Sequence, residues 1–247
     1  MNAISFDQNG FAVVPDVIDA ELCATLRSLS DEWSRAGAGT RSLLASDADD
    51  GPVRCLARRL MGHPVVSGCL PSDPVAVQCT FFRKVGGQLA RGGANWFVPW
   101  HQDGSLPCRP GVGRVEASRW SIKEGEAFVA APAEVLETVV AVRVHLDDSR
   151  EDNGPLLVWP GSHRAGLLRE SELDERSKSE PRVACTVPAG GAIVMRPLLV
   201  HSSRRSQTNA PRRVLHFLFG PTKPPWGLQW NVAVGGGSLA RVPSEST

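Results

Sequence analysis

The chain changes from a helical to a β pattern at Val75-Ala76-Val77-Gln78-Cys79-Thr80-Phe81-Phe82. Successive side chains of a strand point to opposite faces, so the odd-numbered residues Val75, Val77, Cys79 and Phe81 are expected on one face. Further strands are expected over residues 138–147, 156–159, 183–187, 192–196, 198–201 and 212–219. Short strands at such intervals, separated by Gly, Pro and Asn turns, predict a β-sandwich or a distorted barrel.

The segment before residue 75 has a different pattern. Phe11-Ala12-Val13-Val14 predicts a short strand, and Asp19 is expected to cap the helix that follows it. The apolar residues of that helix recur at helical spacing, as Leu22, Leu26, Leu29 and Trp33, and Gly37 and Gly39 are expected to end it. A second helix is expected over residues 53–61. These helices should pack on the outside of one sheet.

Length and composition bound the class of protein. The 247 residues, 42% hydrophobic and 21% charged, are typical of a globular protein. We expect one domain over residues 1–247, with helical support at about 16–62, a β core at about 75–220 and a tail at about 235–247. A net charge of +1 excludes a bulk electrostatic footprint for nucleic acid or for an anionic membrane.

The sequence also suggests where the protein acts and on what. It shows neither an apolar run of membrane-spanning length nor a secretory signal, so we expect a cytoplasmic protein. The substrate is expected to be a small molecule. The six cysteines form no C-x-x-C pair, which argues against a disulfide framework, a zinc ribbon or a redox motif. Cys79 lies in an apolar run and is expected to be a small buried residue. The oligomeric state is not indicated.

The strongest chemical signal is Trp100-His101-Gln102-Asp103. On an extended strand His101 and Asp103 project to the same side, so an imidazole and a carboxylate can reach one point. His201, which we expect to end an apolar strand, is the candidate third ligand. Two His and one carboxylate on one face of a metal leave other positions open, which suits an Fe(II) that must bind a co-substrate and dioxygen.

Three other histidines compete for the role of third ligand. His216 alternates within an apolar strand, which favours a core or wall residue. His163 lies in a tight turn, where a structural hydrogen bond is expected. His145 could face the cavity, and the sequence leaves its role open.

Arg212 follows the turn Asn209-Ala210-Pro211 and begins the next predicted strand. We expect this strand to return antiparallel beside the strand of His201. A guanidinium binds a carboxylate through two hydrogen bonds, so Arg212 could hold the far carboxylate of a keto-diacid.

These residues carry a resemblance to a known family. His101-x-Asp103, the block Asn153-Gly154-Pro155-Leu156-Leu157-Val158-Trp159-Pro160-Gly161-Ser162-His163, Gly190-Gly191-Ala192-Ile193-Val194, His201 and Arg212 together resemble the phytanoyl-CoA dioxygenase family of Fe(II)/2-oxoglutarate oxygenases. The resemblance covers most of residues 5–225. It implies a mainly β fold with flanking helices around a double-stranded β-helix, or jelly-roll, core. It also implies that His101, Asp103 and His201 bind iron, and that Arg212 and Ser203 hold the C5 carboxylate of 2-oxoglutarate.

A closer resemblance is to the ectoine hydroxylase branch. Gln78 and Lys84 have the separation found there, and Trp120-Ser121-Ile122-Lys123-Glu124-Gly125 is similar to a second element of that branch. The resemblance implies that Lys84 contacts 2-oxoglutarate, Gln78 the substrate, and Trp120 the pocket wall. The interval between Lys84 and His101 is longer than in that branch, so the substrate does not carry over.

The reaction implied is hydroxylation of a small polar molecule. Fe(II) is the cofactor, 2-oxoglutarate and O2 are consumed, and succinate and CO2 are released. A carboxylate at Asp103 argues against halogenation, because related halogenases have a small residue there. Gln78, Thr80, Asn95 and Lys123 are the candidate substrate-binding residues, while Arg109 and Arg119 are as readily explained as solvated surface charges. Residues 86–99 and 105–132 are candidate lids, and the charged segment 164–182 is expected to be a surface excursion.

Two other classes of function remain open. A cupin-like metal enzyme could use the same three ligands without 2-oxoglutarate, in which case Arg212 and Ser203 would need no co-substrate role. Alternatively, the fold could serve a non-catalytic ligand-binding protein. Formation of succinate would separate the oxygenase from both.

Overall fold

The α-helices lie mostly before residue 75. The computed structural model describes residues 3–35, 43–86, 95–116 and 119–235. In those ranges the helices are α1 (Ala3–Asn9), α2 (Ala20–Arg35), α3 (Leu43–Ser46), α4 (Pro52–Met61), α5 (Pro64–Ser67), α6 (Ala133–Leu136) and α7 (Glu170–Arg176). The backbone N–H of Leu22 donates to Asp19 Oδ1 at 2.8 Å, which confirms the predicted cap of α2. The end expected at Gly37 and Gly39 and the tail beyond 235 lie outside the described residues.

The β-strands make up most of the remaining chain. They are β1 (Phe11–Val14), β2 (Pro74–Lys84), β3 (Val98–His101), β4 (Ser105–Pro107), β5 (Trp120–Lys123), β6 (Glu126–Ala130), β7 (Val140–His145), β8 (Leu156–Val158), β9 (Val183–Cys185), β10 (Ala192–Met195), β11 (His201–Ser203), β12 (Arg212–Pro221) and β13 (Val234–Gly235). They form a six-stranded sheet in the order β1-β10-β7-β12-β2-β13, a four-stranded sheet β3-β11-β8-β9 and a small sheet β4-β6-β5. The strand pairs are antiparallel.

The helices cover the outer face of the six-stranded sheet. Leu26 of α2 and Leu56 and Leu60 of α4 are buried in one cluster with Phe217 and Phe219 of β12. Replacing a side chain buried to this degree by Ala costs about 2–5 kcal/mol of stability. The expectation that the helices support one sheet from outside is therefore confirmed.

The inner face of the same sheet packs towards the four-stranded sheet. Ile193 of β10 and Leu218 of β12 share a second buried cluster with Leu156 and Val158 of β8. Two facing antiparallel sheets with helices outside give the mainly β jelly-roll architecture predicted from the sequence. The expectation of one domain over 1–247 stays a prediction.

The predicted alternation along β2 is wrong at one position. Val75 and Val77 pack in the inner cluster, whereas Cys79 and Phe81 pack in the outer cluster. The pairing with β12 shifts between Leu218, opposite Gln78, and Phe219, opposite Ala76, so Val77 is an extra residue in β2. Such a β-bulge puts two consecutive residues on the same side and reverses the parity beyond it.

Two expectations about the strand of His201 are also wrong. Residues 198–200 form a buried turn, and His201 begins β11 rather than ending an apolar strand. β11 pairs with β3 and β8, while β12 pairs with β2 and β7 in the other sheet. Arg212 therefore faces β11 across the sandwich and does not lie beside it.

The segments between the core strands differ from one another. The charged segment 164–182 carries α7, which buries none of its residues, so the predicted surface excursion is confirmed. The proposed lid 105–132 contains the three strands of the small sheet, and its residues 117–118 are not described. The proposed lid 86–99 is described only in part. Among the helices described, none combines the length and the apolar character needed to cross a bilayer.

Candidate metal centre and anion pocket

Three candidate metal ligands converge where β3 ends and β11 begins. His101 and His201 are paired residues of neighbouring strands, with ring centroids 4.1 Å apart. Asp103 lies two residues beyond β3, where its N–H donates to the Pro197 carbonyl at 2.9 Å. Its carboxylate lies 3.9 Å from His101 Nε2 and 3.8 Å from His201 Nε2. One donor atom from each residue lies within 4.8 Å of the other two, a spacing that leaves room for an ion.

The orientation of both imidazoles is fixed by main-chain carbonyls. The Nδ1 of His101 lies 2.9 Å from the Pro99 carbonyl oxygen, and the Nδ1 of His201 lies 2.9 Å from that of Leu199. Because a carbonyl only accepts, each Nδ1 carries the hydrogen, which leaves each Nε2 with a lone pair for a metal. Burial lowers the pKa of His201 to about 4, which keeps this ring neutral and able to coordinate.

The Asp103 carboxylate is the strongest sign that a cation belongs here. Its Oδ2 is buried and has no hydrogen-bond partner among the described residues. Burial opposes ionisation of this group, but His201, His216 and His101 around it lower its pKa. An ionised, unpartnered carboxylate oxygen between two oriented imidazoles fits a divalent metal ion.

His216, one of the rival histidines, lies in the wall of the same cavity. Its Nε2 is 4.0 Å from Asp103 Oδ2, and its Nδ1 is 2.9 Å from Nη1 of Arg143. The sequence predicted that His216 is a core or cavity-wall residue, and in the structure it lies in the cavity wall. His163 bonds the Asp7 carbonyl at 3.2 Å, as expected of a structural residue. His145 is buried away from the cavity lining, and neither of its ring nitrogens has a partner in the described part of the chain.

A second cluster, of two cations and a hydroxyl, lies in the same cavity. Lys84 Nζ donates to Ser203 Oγ at 2.6 Å and to the Arg204 carbonyl at 2.7 Å, while Nη2 of Arg212 lies 3.5 Å from Ser203 Oγ. Lys84 and Arg212 are a cross-strand pair of β2 and β12, and Ser203 comes from β11 of the facing sheet. We call Lys84, Ser203 and Arg212 the anion cluster.

The anion cluster carries positive charge that the protein does not neutralise. Lys84 is 1% exposed and Arg212 5%, and neither has a carboxylate partner within the described residues. Burial, together with Arg212 and Arg143, lowers the pKa of Lys84 to about 7, and burial with Arg143 lowers that of Arg212 to about 9. Buried cations are costly unless an anion completes the site, so this cluster is suited to bind a carboxylate.

The metal ligands and the anion cluster line one cavity of about 240 Å³. Its wall is completed by apolar, aromatic and polar side chains: Phe82, Trp96, Val98, Arg143, Leu156, Ser202 and His216. Sequence reasoning missed Arg143, whose signal was a lone cation inside the apolar strand β7. It also missed Trp96, whose ring lies 5.5 Å from Lys84 Nζ.

The other predicted site residues do not line this cavity. Gln78 and Thr80 lie on the inner face of β2 but bond each other at 3.1 Å. Asn95 bonds the main chain of Ser206 through both its amide atoms, so it joins two loops. Trp120 and Lys123 belong to β5 of the small sheet, where Lys123 bonds Ser105 at 3.2 Å. Arg109 and Arg119 are likewise absent from the lining.

Comparison with known proteins points to one family. The sequence model of the family described as phytanoyl-CoA dioxygenase matches residues 6–214. An L-proline trans-4-hydroxylase from Streptomyces griseoviridis is 26% identical over 205 residues. That match covers 69% of this chain and 63% of the hydroxylase, so the chain spans less than two thirds of that relative's length.

Solved structures show the same fold at low sequence identity. HygX from Streptomyces hygroscopicus, solved with nickel and 2-oxoglutarate bound, has a TM-score of 0.58 and 22% identity over 88% of this chain and 84% of its own. EctD from S. alaskensis, in its apo form, has a TM-score of 0.59 and 21% identity over 94% of this chain and 84% of its own. At these identities the likeness extends to the fold, which confirms the jelly-roll expectation.

Proposed function

The chain belongs to the phytanoyl-CoA dioxygenase family, and from that premise we propose that it is an Fe(II)/2-oxoglutarate-dependent oxygenase hydroxylating a small molecule, with release of succinate and CO2. One observation carries this proposal. A two-His, one-carboxylate group shares one cavity with two buried cations, and among the described residues the Asp103 Oδ2 oxygen has no hydrogen-bond partner and neither cation has a partner of opposite charge. These are the two anchoring points that a metal-chelating keto-diacid needs.

The metal ligands would hold iron from one side. His101, Asp103 and His201 present Nε2, a carboxylate oxygen and Nε2, so the remaining coordination positions face the cavity. When bound, iron with 2-oxoglutarate and dioxygen supplies the oxidising power to break an unactivated C–H bond. The protein's contribution is to keep both imidazoles in the coordinating tautomer through Pro99 and Leu199.

The anion cluster would hold the far carboxylate of 2-oxoglutarate. The Arg212 guanidinium can donate to it, and the Ser203 hydroxyl, which accepts from the Lys84 ammonium at 2.6 Å, can do so once its single hydrogen turns away from the Gly154 carbonyl. The apolar side chains of Phe82, Val98 and Leu156 line the same cavity and would help to exclude water from the space between this cluster and a bound metal.

The two alternative functions are less well supported. A metal enzyme that does not use 2-oxoglutarate would have no use for Lys84 and Arg212 buried without a counter-charge. A non-catalytic binding protein would have no need for three ligands oriented as a metal site. A carboxylate at position 103, rather than a small residue, argues against halogenation. We also propose a cytoplasmic protein that acts on neither nucleic acid nor membrane, consistent with its near-zero net charge.

The test is an anaerobic titration of metal-free protein with Fe(II) and then with 2-oxoglutarate. We expect a weak visible iron-to-ketoacid charge-transfer band in wild type, no iron binding in His101→Ala, and iron binding without the band in Arg212→Ala. A surface variant, Arg169→Gln immediately before α7, serves as the matched arginine control because its side chain is 87% exposed. Iron binding without a band in wild type would favour the enzyme that does not use 2-oxoglutarate, and no iron binding would favour the binding protein.

The substrate can then be sought by succinate release. L-proline belongs in the first panel because the Streptomyces griseoviridis relative is named as a proline hydroxylase. Succinate formed in excess of the substrate-free rate identifies the compound that the protein oxidises.

A further inference from the structure

Arg143 is a half-buried cation that the proposed function leaves without a role. It projects from β7 into the cavity, where its Nη1 donates to His216 Nδ1 at 2.9 Å and its guanidinium lies 5.5 Å from the Phe82 ring centroid. Its Nε is buried and has no hydrogen-bond partner among the residues described. Two neighbours therefore fix the orientation of the guanidinium, while part of its donor capacity stays open.

The charges of the cavity wall leave an excess after 2-oxoglutarate is accounted for. Of the described lining residues, Arg143, Arg212 and Lys84, once Lys84 is protonated beside the bound 2-oxoglutarate carboxylate, are cationic and Asp103 is anionic, which gives a balance of +2. A divalent metal raises this balance and the 2-oxoglutarate dianion offsets only the metal. A buried charge that stays uncompensated is costly, so a further anion is expected in the complete complex.

Arg143 and the anion cluster occupy different places along the sheet. Arg143 is paired with His216, four residues from Arg212 along β12, or about 13 Å of backbone at about 3.3 Å per residue. If the far carboxylate of 2-oxoglutarate binds the anion cluster and its near end chelates the metal, it has no further carboxylate for Arg143.

The position of Arg143 relative to the metal centre defines what it could hold. His216 links the two: it accepts from Arg143 at Nδ1, and its Nε2 lies 4.0 Å from Asp103 Oδ2. A group bound by Arg143 would therefore lie close to the coordination positions that face the cavity. The planar guanidinium can bind a carboxylate through two parallel N–H···O bonds.

We propose that Arg143, held by His216, binds a carboxylate of the prime substrate, so that the enzyme hydroxylates a small carboxylic acid near its acid group. The inference rests on the proposed function, since it takes the anion cluster as the 2-oxoglutarate site. The cavity of about 240 Å³, shared with the co-substrate, restricts the acid to a small molecule.

The experiment compares acids with their uncharged amides on anaerobic protein loaded with Fe(II) and 2-oxoglutarate. The panel holds matched pairs of small aliphatic, cyclic and α-amino carboxylic acids and their carboxamides, and the readout is the change in the charge-transfer band as each is added. We expect at least one acid to bind wild type about 10-fold or more tightly than its amide. In Arg143→Gln the acid should lose that advantage, and Arg143→Lys should keep part of it because the charge remains.

Controls separate this inference from the proposed function. The band formed before any acid is added tests the proposed function alone. Arg143→Gln should keep 2-oxoglutarate affinity within about 3-fold of wild type, whereas Arg212→Gln should lose it, and Arg169→Gln should match wild type throughout. Circular dichroism of each variant establishes whether it is folded. If Arg143→Gln does not fold, the acid and amide affinities of Arg143→Lys are compared with those of wild type instead.

Several outcomes would overturn the inference while the proposed function stands. One is that no acid in the panel binds wild type better than its amide. Another is that Arg143→Gln binds the acid as wild type does. A third is that it loses the band, which would make Arg143 a co-substrate anchor. Tighter binding of inorganic phosphate than of any acid would overturn the choice of a carboxylate.

Discussion

Lys84 illustrates how a single residue can prepare a site for its ligand. Lys84 is 1% exposed, and within the described chain its ammonium bonds two neutral oxygens, those of Ser203 and Arg204. Burial and the neighbouring Arg212 and Arg143 lower its pKa to about 7, so at pH 8 the free protein holds it mostly uncharged. A carboxylate placed beside it would favour the charged form again.

Binding of 2-oxoglutarate at pH 8 is therefore expected to take up protons. The uptake should approach one proton per site, because Lys84 is neutral before binding and charged after it, and affinity should fall as pH rises above about 7. Isothermal titration calorimetry of nickel-loaded protein in two buffers of different ionisation enthalpy measures it. Lys84→Met should abolish the uptake and exposed Lys178→Met should preserve it. Equal uptake in wild type and Lys84→Met would contradict the assignment.

A second prediction concerns the Asp103 carboxylate. Asp103→Asn keeps the shape of the side chain but removes the charge that the metal site depends on, since Oδ2 has no other partner in the described chain. Iron affinity should fall by more than about 100-fold, beyond the 10–100-fold typical of residues that only support a ligand. A competition assay with a chelator measures this loss. Asp174→Asn, on the exposed helix α7, is the control, and near-wild-type affinity in Asp103→Asn would exclude this carboxylate as a ligand.

The turn at Gly154 shows how an element positions the anion cluster. Gly154 has a left-handed conformation with φ of 72°, and its carbonyl accepts from Ser203 Oγ at 3.0 Å. A Cβ there would lie 2.4 Å from the Arg204 carbonyl oxygen and 3.2 Å from Cδ of Lys84. The backbone of this turn therefore contacts Ser203 directly and lies next to the Lys84 side chain, two of the three members of the anion cluster.

Gly154→Ala is expected to weaken 2-oxoglutarate binding by about 10-fold or more while metal affinity stays near wild type. The left-handed conformation costs about 1–2 kcal/mol for alanine, and the Arg204 carbonyl must also shift. Gly125→Ala is the matched control, because its φ is 81° but nothing lies within 4 Å of the added Cβ. Both variants should lose thermal stability, but only Gly154→Ala should lose 2-oxoglutarate affinity. Equal affinities in the two variants would show that the turn does not position the cluster.

Local sequence patterns predicted most of the helices and strands. The errors occur where contacts between residues distant in sequence determine the structure. β12 was expected over 212–219 and forms over Arg212–Pro221, because apolar alternation and the preceding turn specify it locally. The strand expected at 198–201 is a turn, because an apolar run does not distinguish buried turn from buried strand. The sheet that β12 joins depends on its pairing with β2 and β7, which are distant in sequence. A local sequence pattern does not indicate this pairing.

The candidate site was predictable where residues are close in sequence or carried by the family resemblance. His101 and Asp103 were proposed from their spacing, His201 and Arg212 from their places in the predicted strands, and Ser203 and Lys84 from the resemblance; all six line the cavity. Thr80, Asn95 and Lys123 were chosen by residue type, and each bonds another protein group outside the cavity lining. Arg143 was missed because its position depends on the pairing of β7 with β12, which places it opposite His216.

At the scale of the whole molecule, a bound metal ion and 2-oxoglutarate would together connect the two large sheets. His101 and His201 belong to the four-stranded sheet, whereas Lys84 and Arg212 belong to the six-stranded sheet. A molecule bound to the metal and to Arg212 at the same time would cross the space between them. Its binding energy would oppose separation of the sheets during unfolding.

Thermal stability should therefore respond to metal and 2-oxoglutarate together. At 100 times its Kd, 2-oxoglutarate added to nickel-loaded protein should contribute about 2.7 kcal/mol, or about 5–10 °C in Tm for a chain of this size. Differential scanning calorimetry measures the shift with metal, with 2-oxoglutarate and with both. A chelator should remove the combined effect, and an equal shift from 2-oxoglutarate without metal would contradict the shared site.

The bulge at Val77 has a consequence for comparing this chain with its relatives. Residues on either side of it keep their order but exchange faces, so Gln78, Thr80, Phe82 and Lys84 share a face with Val75 and Val77 rather than with Ala76. A gap-free alignment to a relative without the bulge would match inward residues with outward ones on one side of residue 77. A single gap placed there restores the correspondence, and any residue role transferred across this strand depends on it.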